Sequence, residues 1–195
     1  MRVSKEQAAE NRARILTETA RIIREAGIGG AGVDALTRAA GLTHGSLYSQ
    51  FGSKERLVAE ALDHAMQTSG DRLLAELTSG APERGLAAVV GRYLSPKHRD
   101  APGGGCALAA LGSEVPRQGP AVRRALTEGL RRFAARLAPL LPRRRPGPPE
   151  DEALAVIAGL VGALILSRAV DDPDLSDRIL EATRRALAGH AAARD

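Results

Sequence analysis

One run constrains this chain more than any other: Ala40-Gly41-Leu42-Thr43-His44-Gly45-Ser46-Leu47-Tyr48-Ser49-Gln50-Phe51-Gly52-Ser53-Lys54-Glu55. It reads as the end of a helix, a tight turn, a short helix, a second turn and the start of another helix. Gly41 supplies the left-handed residue that closes one helix, Thr43 is a good N-cap for the next, and Ser53 caps the one after that. The chain has two tyrosines, two phenylalanines and no tryptophan, and both Tyr48 and Phe51 fall inside this run. The spacing is that of a helix-turn-helix, a motif whose second helix enters the major groove of DNA.

On a helical wheel Leu47 and Phe51 share one side of the short helix, Gly45 and Ser49 point away, and Ser46 and Tyr48 flank them. The outward side is therefore small, polar and rich in hydroxyls. Gly45 permits close approach of the backbone, Tyr48 is placed to bond a phosphate, and His44 reaches base edges or phosphate from the first turn. Lys54 adds a cation beside the start of the following helix, where free amide groups also favour phosphate, and Lys5 does so at the start of the first helix. The expected DNA-contacting set is Lys5, Thr43, His44, Gly45, Ser46, Tyr48, Ser49, Gln50 and Lys54. A generic helical hairpin that only covers surface would need all these caps and turns to coincide in one short segment.

Elsewhere no window alternates as a strand does, whereas apolar residues recur at three and four residue intervals. An all-α fold of about nine helices follows. Helix 1 is expected from Lys5 to Ala26, ended by Gly27, and helix 2 from Val33 to Ala40. The helix that follows Ser53 continues toward Leu77, stops at Ser79-Gly80 and would connect two domains. Pro82 opens a helix through Leu94, Pro96 to Gly105 reads as a loop, and Cys106 to Val115 as a short helix. Further helices are expected over about Pro120 to Ala138, Glu150 to Val170 and Leu175 to His190, with a linker from Pro139 to Pro149.

Lys and Arg number 28 against 23 acids, a net charge of +5 that suits a polyanionic partner. The N-terminus, Met1-Arg2-Val3-Ser4-Lys5-Glu6, lacks the apolar core of a signal peptide, so a cytoplasmic protein is expected. The longest apolar run, Ala153 to Ser167, falls short of the roughly 18 residues of a membrane span and reads as a buried helix, with no membrane partner. Cys106 is the only cysteine, which excludes an intrachain disulfide.

The run from Ala40 to Glu55, with Val33 and Leu36 ahead of it, closely resembles the TetR/AcrR family of bacterial transcriptional regulators. The matching features are the valine-led helix 2, Ala40-Gly41-Leu42-Thr43 at the turn, Gly45 with Leu47-Tyr48, and Phe51-Gly52-Ser53-Lys54-Glu55. Two residues depart from that pattern. Gln50 stands where the family usually has His, and Gly32 replaces the hydroxyl residue before helix 2. Gln50 still offers a donor to phosphate or adenine, while Gly32 remains a tolerable N-cap without a side-chain contact.

The resemblance implies a helix-turn-helix DNA-binding domain over residues 1–55 and a helical effector-binding and dimerisation domain over 56–195. It also implies a repressor released from its double-stranded operator by a small molecule or a reactive electrophile. Ala153 to Leu166 is apolar around the whole helix and must be covered on more than one side, which points to a second copy of the chain. Gly159 and Gly162 would permit close helix approach, and Leu175, Ile179, Thr183 and Leu187 give the last helix a compatible stripe. The two reading helices of such a homodimer would stand roughly 34 Å, or a multiple of that, apart.

Cys106 follows Gly103-Gly104-Gly105 and opens a short helix, so the positive end of the dipole is expected to favour its thiolate. It is the candidate for sensing oxidants or electrophiles, and some members of the resembled family carry a cysteine at this place. The alternative is a small buried hydrophobe. His44, His64, His98 and His190 have no carboxylate or thiol at metal-ligand spacing, so neither a metal nor another cofactor is expected. Catalysis by Cys106 with His98 would need a base held in place, which a loop this rich in proline and glycine does not promise, so no enzymatic activity is expected. Arg143-Arg144-Arg145 reads as a solvated linker. The alternative to a DNA-binding regulator is a helical protein-interaction module.

Overall fold

A computed structural model describes residues 4–78, 82–141 and 147–192, and these contain helices and no strand. The first helix, α1 (Lys5–Gly30), starts on Ser4, whose side chain accepts from Gln7 N. It buries Ile15, Thr19, Ala20 and Ile23, residues at three and four residue spacing. It breaks at Gly27, where φ is 77° and ψ 163°, and the displaced Ile28 is again buried. Helix α2 (Val33–Ala40) follows, then α3 (His44–Phe51), and both lie against α1 or the long α4 (Lys54–Thr78).

Helix α4 packs against α1 and α3 near its start and against α8 (Pro120–Leu137) along its length. Leu57, Val58, Ala61, Leu62 and Ala65 of α4 are fully buried, so one continuous core runs from the N-terminal helices into the rest of the molecule. The remaining elements are α5 (Pro82–Tyr93), α6 (Pro96–Arg99), α7 (Ala107–Leu111), α9 (Pro149–Ala169) and α10 (Pro173–Ala192). Helix α9 packs on α7, α8 and α10, and α10 also packs on α5.

Three expectations change. The segment Pro96 to Gly105 is not a plain loop: Ser95 caps α6, its side chain accepting from His98 N, and Pro102–Gly104 forms a 3-10 turn. Among the described residues this raises the helix count to ten, because Pro96 occupies a first-turn position where its missing N–H costs nothing. The helix expected from Cys106 to Val115 ends at Leu111, and Val115–Arg117 is a separate 3-10 turn. The window over residues 150–169 is long and apolar enough, by length and composition, to cross a bilayer. In the fold it buries Ala153, Val156, Ile157, Leu160, Ala163 and Leu164 against other helices. Arg143-Arg144-Arg145 and Ser79-Gly80 lie outside the described residues.

Candidate functional site

The turn between α2 and α3 is built from main-chain bonds. Gly41 sits at φ 66° and ψ 33°, Leu42 N donates to Thr37 O at 2.8 Å, and the side chain of Thr43 accepts from Ser46 N at 3.1 Å. A β-carbon at Gly41 would be strained in that left-handed conformation. Leu47 and Phe51 are buried, and the Arg12 guanidinium of α1 lies 4.3 Å above the Phe51 ring while pairing with Glu60 of α4. Two hydrophobic anchors and one bridging cation thus hold α3 on the pair of longer helices.

The other face of α3 is open. Tyr48 is 50% exposed, and His44, Gly45, Ser49 and Gln50 are exposed with it, while Ser46 is half-buried. Gly45 has nothing within 4 Å of where a β-carbon would stand. Neighbouring polar groups preorganise this face: Gln50 Nε2 donates to Ser46 Oγ at 2.8 Å, Ser49 Oγ donates to Ser46 O at 3.0 Å, and His44 Nε2 lies 2.7 Å from Asp34 Oδ1. Lys5 is exposed in the first turn of α1. Lys54 differs: it is half-buried, and its Nζ donates to Ile28 O across a long 3.4 Å, so it closes the end of α1 as well as opening α4. The adjacent Glu55 accepts from Ala121 N of α8 at 3.2 Å.

A second site lies among α4, α5, α7, α8 and α9, where a cavity of about 330 Å³ is walled by Met66, Leu73, Phe133, Leu160 and Val161 and reaches Tyr93, His98 and Cys106. Cys106 is the half-buried residue that precedes α7. Its N–H donates to His98 Nε2 at 3.1 Å, and His98 Nδ1 lies 2.7 Å from Tyr93 O. Since a carbonyl only accepts, the ring is neutral with its proton on Nδ1. Burial is the main cause that holds the His98 pKa below its usual 6.5. Contrary to expectation, this segment does hold His98 against Cys106, but through the main chain, which occupies the ring nitrogen a base would need. Gly105 makes the approach possible, because a β-carbon there would stand 2.8 Å from His98 Nε2.

Tyr93 is buried edge-on to His98, with ring centres 4.6 Å apart. Burial first, and then the nearby Cys106 thiol, push the Tyr93 pKa well above its usual value.

Two contacts missed by sequence reasoning join this segment to the end of α1. Arg24 Nε donates to Gly103 O at 2.8 Å, and Glu114 Oε2 accepts from Ile28 N at 2.9 Å and Gly29 N at 3.3 Å. These orphan amides arise because Gly27 breaks the helix, and a carboxylate from a distant turn fills the gap. Neither Arg24 nor Glu114 carries any motif that marks such a partner.

A face of α9 and α10 is uncovered: Leu154, Ile165, Leu166 and Leu175 are exposed, Leu166 by 57%. Gly159 approaches Leu187 of α10, whereas Gly162 has nothing within 4 Å.

Two family models match the chain. The model described as bacterial regulatory proteins, tetR family, covers residues 15–61, and the one described as tetracyclin repressor-like, C-terminal domain, covers residues 81–183. Among solved structures, NemR from E. coli in its reduced form superimposes with a TM-score of 0.77 at 23% identity, over 91% of this chain and 95% of that one. A TetR-family transcriptional regulator from Cytophaga hutchinsonii gives 0.76 at 24% identity, over 97% and 98%. Another from Streptomyces coelicolor gives 0.70 at 25% identity, over 94% and 97%. No curated protein matches by sequence.

Proposed function

The chain belongs to the TetR family of bacterial regulatory proteins and is a DNA-binding transcriptional regulator; from that premise we propose that it is a homodimeric repressor whose operator affinity a small effector lowers. Helix α3 enters the major groove with its open face, so that Thr43, His44, Gly45, Ser46, Ser49 and Gln50 meet base edges or phosphate while Tyr48 and Lys5 hold the backbone. Lys54 joins them only by leaving Ile28 O. The division of labour falls near residue 55, with DNA binding before it and effector binding and pairing after it. The observation that carries this reading is the contrast within α3, where Leu47 and Phe51 are buried and Tyr48 with its polar neighbours is open.

The second copy covers Leu154, Ile165, Leu166 and Leu175, apolar surface that is costly to leave in water. The effector occupies the cavity beside Cys106, as a reversible ligand or as an electrophile that the thiol captures. Its effect travels through Gly103 and Glu114, since both are bonded to the end of α1 and a shift of the segment between them tilts the reading head. The requirement is that the effector bind the two head positions with different affinity.

The test is binding of the purified protein to duplex DNA from upstream of its own gene over a range of salt. Log affinity should fall linearly with log salt at roughly 0.9 per phosphate contact, and Tyr48→Ala and Gln50→Ala should weaken binding without lowering the melting temperature. A flat salt dependence would favour a protein-interaction module instead.

A further inference from the structure

One side chain beside the open face of α3 carries a charge that a phosphate backbone repels. Asp34 stands in the first turn of α2, and its Oδ1 lies 2.7 Å from Nε2 of His44, the first residue of α3. The Asp34 side chain is 79% exposed and that of His44 59%, so both are open to a partner. A carboxylate at this place lowers affinity for every DNA sequence alike, unless it meets a hydrogen-bond donor.

Two ordinary roles leave the arrangement unexplained. An acid in a first turn complements the helix dipole, but that needs no partner on another helix. A surface acid also pairs with a cation four residues on, where Arg38 stands, yet among the described residues no ion pair joins Asp34 to Arg38. The carboxylate instead crosses the turn to α3. An exposed pair adds little to stability, and the buried Leu36 and Leu47 belong to the core that already holds α2 and α3.

What the bond fixes is orientation. A carboxylate only accepts, so the proton lies on His44 Nε2 and Oδ1 is engaged. Among the described residues Asp34 Oδ2 has no hydrogen-bond partner, which leaves an aimed acceptor beside the reading helix. Its complement is a base amino group. Cytosine offers N4–H2 alone on its major-groove edge, adenine sets the acceptor N7 beside its N6, and guanine and thymine present acceptors that a carboxylate repels.

We propose that Asp34 is a specificity-determining residue of the DNA interface: His44 holds it through Oδ1, and Oδ2 accepts from N4 of a cytosine in the major groove. The proposal rests on the reading that the α3 face enters that groove, and it adds a base contact from α2 to those expected of α3. His44, in acting through Asp34, is also a positioning residue. In the homodimer the requirement recurs in each half-site.

The experiment uses the whole protein to select bound duplexes from a pool with randomised positions, then measures affinity for single base-pair variants of the recovered sequence. The parent should require cytosine at one position of each half-site, with about ten-fold weaker binding when another base replaces it. Asp34→Ala should lose the preference at that position alone and bind random duplex DNA more tightly, because a repulsive charge is gone. Asp34→Asn should move the preference toward adenine, whose N6 and N7 match an amide. His44→Ala should weaken the cytosine preference without moving it. All three variants should melt near the parent's temperature, since both side chains are exposed. The proposal is overturned if the two Asp34 variants recover the same sequences as the parent, or if the position they alter prefers guanine or thymine in the parent. A loss of affinity spread evenly over all positions marks a structural role and overturns it too. A parent protein that selects no sequence at any position overturns instead the groove-reading role of α3 on which the proposal rests.

Discussion

The turn into α3 and the segment from Ser95 to Glu114 solve the same problem, holding a short helix in place, by opposite means. Helix α3 is shaped by neighbours in sequence, the Gly41 conformation, the Thr43 cap and two apolar anchors one turn apart, with Arg12 of α1 as a distant bridge over Phe51. Helix α7 is held by distant groups that bond its approach and exit, with His98 on Cys106 N, Arg24 on Gly103 O and Glu114 on the end of α1. A helix fixed locally presents a constant face. One fixed by remote polar bonds moves when those bonds are exchanged, which is what an effector-coupled element needs.

The sharpest way to break the comparison is Leu47→Ala, which empties a fully buried site under α3 and should cost about 2–5 kcal/mol, seen as a lower denaturation midpoint with DNA affinity falling alongside. If the midpoint held and only DNA binding fell, the anchor would not be what fixes α3. Glu114→Ala should cost less, roughly 1–3 kcal/mol, because it leaves the Ile28 and Gly29 amides without their acceptor. Its diagnostic effect is different in kind: DNA affinity should survive while effector response weakens, read by titrating effector against a preformed DNA complex. An unchanged response would show that coupling runs elsewhere.

The smallest effect concerns pH. The folded state holds His98 neutral with a pKa below 6.5, so it binds fewer protons than the unfolded chain as pH drops through that value. Its contribution is therefore complete above about pH 6.5, and falls as pH decreases until the folded pKa is passed. Melting curves between neutral and mildly acidic pH should show this decline, and His98→Gln should flatten it while retaining a side-chain acceptor for Cys106 N. An equal decline in both proteins would remove His98 from the account.

Much of the site was legible because its determinants are close in sequence. Thr43, Ser53, Gly41 and the Leu47 and Phe51 pair each act on residues within one or two turns, so spacing reveals them. Lys54 and Glu55 were legible as a motif, whereas the bond of Lys54 to Ile28 O of α1 and that of Glu55 to Ala121 N of α8 belong to no local pattern. Pro96 to Gly105 was misread because proline and glycine signal turns, whereas Ser95 and Pro96 together make a capped helical start.

By itself the sequence determined the all-helical class, the helix-turn-helix and which face of α3 is open, since periodicity and capping are short-range effects. Only the tertiary structure decided that Tyr93 is buried edge-on to His98, that His98 faces the Cys106 main chain, and that Glu114 closes α1. Those facts depend on where distant side chains converge in a low-dielectric interior, and spacing along the chain carries no record of that convergence.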